Sequence, residues 1–450
     1  MKKSVKNKGW IVTFSGTSIN LALGILYTWS IFKGAIKKSI EKGGEGAFNW
    51  DLASLNDPYA VCCIVFAFVM ILSGKFQDKF GPRLTAFIGG ILVGLGFIWI
   101  SQSTGYVSWV LGFGVLAGAG IGFAYSAATP PALKWFPPAR TGLIAGLVVS
   151  GFGLASVYIA PLSQYLLGIW GLQKAMLFFG IAFLIVVCGL SLLLVNPTPG
   201  YVPEGVSAKT DRAVPAVEKA LGAIPTRAGI ADQAVRKAPG NPVQTDFRPS
   251  EMIKTRAFFT IWLIYFIGAG AGLMVIGSVA GMATKSMGEW AFLVVAILAV
   301  GNAGGRIVAG ILSDKIGRRG TLVIMLGFQT LLMLISIPVV GSANTSAILL
   351  LLIATFIGFN YGTNLSLFPS LTKDNWGLKN FGINYGLVFS AWGVGGFVMG
   401  RLSQMLIART GSYTSSFLTA AILLIIGAAL TFTLKGRKEI EATFKKKQAG

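Results

Sequence analysis

Apolar residues along this 450-residue chain come in long runs, and polar residues gather in the short gaps between them. A run of about 20 apolar residues crosses a bilayer as a helix. Twelve such helices are predicted, over residues 9–32, 59–76, 84–100, 109–129, 141–167, 172–195, 258–284, 290–313, 321–340, 347–368, 383–407 and 416–434. None has the polar face that a soluble helix needs. The pattern therefore predicts an all-α integral membrane protein and excludes a soluble helical bundle.

One segment breaks the rhythm. Residues 196–256 are rich in Pro, Ala, Gly and alternating charge. They read as a linker between an N-terminal six-helix bundle (1–195) and a C-terminal one (257–450) that ends in a basic tail. The two parts repeat each other. Gly74–Arg83 reads GKFQDKFGPR and Gly310–Arg319 reads GILSDKIGRR, 236 residues apart, sharing G-x-x-x-D-K-x-G-x-R. At the same offset Gly122-Phe-Ala-Tyr125 matches Gly358-Phe-Asn-Tyr361, and Gly146-Leu-Val-Val-Ser150 matches Gly386-Leu-Val-Phe-Ser390 at an offset of 240. Parallel six-helix repeats imply a pseudo-two-fold axis along the membrane normal, with a binding site between the halves near the midplane.

Charge adds an orientation. The net charge is +22, which in a soluble protein would suggest nucleic acid. Here the basic residues alternate by loop. Twenty fall with the N-terminus, the even-numbered connections and the C-terminal tail, nine more lie in the linker, and seven lie on the other side. By the positive-inside pattern both termini and the linker are expected in the cytoplasm, around a multi-pass protein of the cell's inner membrane. No base-reading element accompanies the charge, so no nucleic-acid partner is expected. The D-K-x-G-x-R loops then lie on the cytoplasmic face. Their residues Gly74, Asp78, Gly81 and Arg83, with Gly310, Asp314, Gly317 and Arg318, are expected to act as conformational latches: glycine for the turn, aspartate for capping or pairing.

The chemistry is sparse. The three cysteines (Cys62, Cys63, Cys188) lie in apolar runs and form no metal-ligand spacing. There is no histidine, so a histidine relay and a histidine-bound metal are excluded. No G-x-x-x-x-G-K-[ST] loop is present, which argues against ATP-driven pumping. No cofactor is expected, and no nucleophile–base pair suggests an enzyme. A membrane sensor on the same fold would usually append a soluble output domain, and none is evident.

Arg306 stands out. It interrupts an apolar run eight residues before Asp314, about 12 Å along a helix and so near the midplane. A charge at that depth normally faces an aqueous path or an ionic partner. No Asp or Glu lies inside a predicted helix core, and Glu289 is seventeen residues away. The guanidinium is thus expected to hold an anion, a carboxylate fitting its planar fork. Asn302, one turn earlier on the same face, can orient the guanidinium, accept a substrate hydroxyl or bond between helices. Tyr27, Tyr125 and Tyr361 fall near mid-helix. Tyr125 and Tyr361 are repeat equivalents and are expected to face each other across the axis, with Asn360 and Asn364 flanking Tyr361. Each can line a cavity or simply pack.

These features resemble the major facilitator superfamily, whose hallmark is the paired loop motif. More narrowly the chain is similar to the oxalate/formate antiporter family, which includes bacterial monocarboxylate transporters. Gly24-Ile-Leu-Tyr27-Thr-Trp29-Ser30, Lys134-Trp-Phe-Pro137, Gly142-Leu-Ile-Ala-Gly146, Asn196-Pro197, Ala271–Ile276 and Asn384–Gly393 carry that resemblance. It implies the twelve-helix fold, a functional monomer, and transport of a small carboxylate by alternating access. Oxalate-carrying members have a lysine where this chain has Trp392, and animal-type monocarboxylate transporters have an aspartate where it has Asn302. Losing the lysine leaves one central cation and points to a monocarboxylate of the lactate, pyruvate or formate class, with Trp392 capping a smaller cavity or packing. Losing the aspartate removes the obvious proton carrier, so symport with a proton and anion exchange both stay open. A dicarboxylate exchanger of the oxalate/formate type, with its second cation elsewhere, is the alternative.

Overall fold

The computed structural model describes residues 7–198, 201, 203, 246–287, 291–341 and 346–449. Most of the expected linker, the lysines at 2, 3 and 6, and Glu289 lie outside them.

Among the described residues there are eleven apolar helical runs long enough to span a membrane. One of them, Thr141–Ser191, contains a non-helical Gly171 at φ 74° and is two helices. Its far end comes back: the Trp135 indole donates to the Val195 carbonyl at 2.8 Å, next to where the run begins. Twelve crossings result. We label them α1 (Gly9–Lys42), α2 (Asp57–Phe80), α3 (Pro82–Ile100), α4 (Tyr106–Trp135), α5 (141–170), α6 (172–191), α7 (Arg256–Met287), α8 (Ala291–Ile316), α9 (Arg318–Gly341), α10 (Ala347–Trp376), α11 (Phe381–Thr410) and α12 (Thr414–Thr431). A thirteenth helix, α13 (Arg437–Ala449), follows. Large apolar side chains such as Phe68, Leu72, Ile185, Ile348 and Ile425 are exposed. So much bare apolar surface fits lipid and not water.

Several helices outrun their apolar cores. α1 continues ten residues past Phe32, because Trp29, Phe32 and Ile36 form a buried stripe at helical spacing. α4 carries on through Pro130 and Pro131 to Trp135; neighbouring helices and side chains satisfy the carbonyls that proline leaves free in a membrane bundle. α10 runs eight residues past Phe368 to Trp376. The C-terminal tail, read as a basic tail, is helical. Ile440 is buried there and Phe444 packs edge-on against Phe247, 5.5 Å between centroids.

The halves meet along two helix pairs, α5 with α8 and α2 with α11. Each pair is the repeat equivalent of the other. Close approach depends on glycine: a Cβ at Gly142 would overlap the Gly310 carbonyl, and one at Gly74 would overlap Gly382. Both contacts lie at the motif-loop end, so this conformation is closed there.

Candidate functional site

α8 brings Arg306 to the centre of the α5–α8 contact. Its side chain is fully buried. α5 can come this close because Gly146 faces the Arg306 carbonyl and Gly153 faces the guanidinium. The Arg306 Nε donates to Asn302 Oδ1 at 2.9 Å, one turn back, which is the orienting role among those open to Asn302. The Nη1 donates across the halves to the Val149 carbonyl. The Nη2 has no acceptor among the described residues. A guanidinium has five N–H donors. Asn302 and Val149 take two, leaving one on Nη1 and two on Nη2, enough for a bidentate carboxylate. No aspartate or glutamate is buried among the described residues, so an internal ion pair does not explain Arg306.

Tyr27 reaches this point because α1 tightens into a 3-10 turn over Gly24–Thr28. Gly24 sits against the Phe152 carbonyl and Ala155 of α5, where a Cβ would not fit. The Tyr27 hydroxyl is 2.8 Å from that of Tyr361 on α10, and it lies against the Arg306 guanidinium. Trp392 on α11 donates its Nε1–H to the Tyr361 hydroxyl at 2.7 Å. The indole stacks on Phe389, 5.1 Å between centroids and 22° between planes, and packs edge-on against Phe66 of the other half at 5.4 Å. Trp392 is therefore a buried, hydrogen-bonded wall of the site.

Tyr125 and Tyr361 do not meet. Tyr361 pairs with Tyr27 and Trp392, while Phe66 and Phe152 stand between that group and Tyr125. Tyr125 belongs instead to a cluster with Tyr265 of α7 and Tyr385 of α11. The Tyr385 hydroxyl lies between the other two, and none of the three has a well-formed hydrogen bond. Sequence reading missed Tyr265 and Tyr385; the only hint was Tyr385 inside the α11 motif. Asn360 and Asn364 bond back to their own helix, to the Phe356 and Asn360 carbonyls at 3.2 Å each. Asn364 fills the contact with Gly268 of α7. Neither is joined to Arg306.

The latch residues divide. Asp314 accepts the amides of Gly142 and Leu143 at 3.0 Å each, capping the first turn of α5 with a negative charge where the helix dipole favours one. Arg318 holds this carboxylate at 2.6 Å and also bonds Asp374 at 2.8 Å. Nearby, Lys373 donates to the Thr141 hydroxyl at 2.5 Å. In the other half Asp78 accepts the amides of Gly382 and Ile383 at 3.2 Å each, capping α11 in the same way. Arg83, expected in this latch, is exposed and is not on Asp78. The reason is register: Arg318 occupies the place of Pro82, one residue before the arginine of the motif. Gly81 and Gly317 both have φ 87°, the left-handed turn that the motif glycine supplies.

Closure at this end depends on bare glycine, so Gly74→Val should disfavour it. Overpacking costs roughly 1–3 kcal/mol, which shifts a two-state equilibrium by about 5- to 150-fold. The expected outcome is faster thiol labelling of a cysteine placed at Ile383, with slower transport. Unchanged labelling would mean that the α2–α11 contact does not limit opening.

The sequence pattern of the Major Facilitator Superfamily matches residues 9–400 of this chain. An uncharacterized MFS-type transporter of Escherichia coli (YhjX) is 28% identical over 392 residues, covering 86% of this chain and 85% of that protein. The oxalate:formate antiporter of Oxalobacter formigenes is 25% identical, covering 91% and 88%. Human monocarboxylate transporter 11 is 26% identical, covering 93% and 81%.

Proposed function

We propose that this chain, which belongs to the Major Facilitator Superfamily, carries a small monocarboxylate across the cytoplasmic membrane by alternating access. One observation carries the reading: Arg306, the most deeply buried cation among the described residues, keeps unpaired N–H donors in a contact between the halves that holds no buried acid among those residues. A buried cation needs a counter-anion. A carboxylate takes the free Nη1 and Nη2 protons side by side, which point-charge neighbours would not require.

The same residue links binding to movement. Arg306 bonds the Val149 carbonyl across the halves, so a ligand that draws the guanidinium toward itself competes with a contact of the closed state. Differential contact of this kind is what lets a ligand shift a conformational equilibrium. With the motif loops on the cytoplasmic face, as the basic residues favour, this conformation is closed to the cytoplasm. Named relatives that handle oxalate and formate or monocarboxylates agree with a small carboxylate as cargo.

The test is uptake of labelled lactate, formate and oxalate into proteoliposomes. Lactate or formate uptake is expected. Stimulation by an imposed acid-outside gradient identifies proton symport, and stimulation only by carboxylate loaded inside identifies exchange. Absence of uptake of either monocarboxylate under both conditions would refute the reading.

A further inference from the structure

Trp392, Tyr361 and Tyr27 form a hydrogen-bonded chain from α11 through α10 to α1, ending beside Arg306. Its direction follows from donor counting. An indole N–H only donates, so the Tyr361 oxygen accepts from Trp392. Tyr361 is fully buried, and among the described residues Tyr27 is the acceptor paired with its hydroxyl. Turning that proton elsewhere would leave a buried donor unmade, at about 1–3 kcal/mol. Tyr361 therefore donates to Tyr27. The Tyr27 oxygen also lies against Arg306, which is a donor only. Neither neighbour can accept from Tyr27, so its own proton is left over. Tyr27 is the one member of the chain that is only partly buried.

We propose that Trp392 is a positioning residue: it orders this chain so that Tyr27 presents its proton to the ligand held by Arg306. The proposal rests on the carboxylate reading of the site. With the carboxylate on the guanidinium fork, the Tyr27 proton meets an oxygen at the ligand's C1 or C2. A C2 acceptor is read directly, so a 2-oxo acid is favoured over the same acid without the oxygen. Successive hydrogen bonds polarise one another, so removing the Trp392 donor weakens the last link without touching the ligand.

The experiment measures competition by pyruvate and by propionate for uptake of labelled lactate in proteoliposomes. Wild type is compared with Trp392→Phe, Tyr27→Phe and the double variant. Phenylalanine keeps a ring for Phe389 and Phe66 to pack on. The wild type is expected to favour pyruvate about tenfold. Tyr27→Phe should bring the ratio near one, Trp392→Phe should lower it about threefold, and the double variant should match Tyr27→Phe alone. Lost packing would lower uptake of both acids and leave the ratio in place. Should Trp392→Phe fold poorly, Tyr361→Phe breaks the chain one link on and is expected to collapse the ratio too. A ratio unmoved in Trp392→Phe and Tyr361→Phe, or additive losses in the double variant, overturns the proposal. Failure of the wild type to take up any monocarboxylate would instead overturn the reading beneath it.

Discussion

Arg306→Lys is expected to cut transport of lactate and formate by about a hundredfold or more at fixed concentration, although the charge is kept. The guanidinium divides its donors between three tasks. Nε is set by Asn302 at 2.9 Å, Nη1 reaches Val149 across the halves, and the remaining protons are spread in one plane at the width of a carboxylate. An ammonium has three donors at one point. It can bond Asn302 or reach across to α5, but it cannot do both and still offer two parallel donors. The lysine also buries a more strongly hydrated ion. Folding should survive, because the glycine contacts that seat α5 on α8 are untouched. Uptake by reconstituted protein is compared with yield and with the size-exclusion profile in detergent. A lysine variant transporting at near wild-type rates would show that Arg306 does not hold substrate.

Much of the fold was legible because the bilayer imposes a coarse rule: every span must be apolar and long enough. That rule found the twelve crossings, and the duplicated loop motif found the aspartates that cap α5 and α11. Arg306 announced itself because a charge at that depth has so few harmless explanations. The partners of Arg306 were harder. Asn302 was accessible through helical spacing, but Val149 contributes a backbone carbonyl, which every residue has and no sequence pattern marks. The repeat symmetry also misled. It paired Tyr125 with Tyr361, yet the chain broke the symmetry at Tyr27, where the 3-10 turn of α1 brings a third hydroxyl to Tyr361. Arg83 was placed in a latch on the same symmetry, and a one-residue shift in the other half, Arg318 for Pro82, gives an arginine to Asp314 but not to Asp78.

The other large effect concerns ligand charge. With one central cation, a monocarboxylate is neutralised, whereas a dianion brings a second charge into a site walled by Trp392, Phe66 and Phe389. An unpaired buried charge costs several kcal/mol, so lactate is expected to outcompete oxalate by about a hundredfold or more for uptake by the wild type. Trp392→Lys reverses the balance of charge. The ammonium would stand next to Tyr361, whose hydroxyl now accepts from the indole at 2.7 Å, and Tyr361 links through Tyr27 to Arg306. Two buried cations repel each other when no ligand is bound and are both satisfied by a dianion. The variant should therefore lose most lactate transport and gain relative preference for oxalate, shifting the ratio of competition by at least about tenfold. The loss of indole packing lowers the absolute rate for both acids but does not move their ratio. Equal concentrations of the two acids competing against labelled substrate, on wild type and variant in parallel, decide the matter. Strong oxalate transport by the wild type would refute the single-cation argument and favour a dicarboxylate exchanger that draws its second positive charge from elsewhere in the chain.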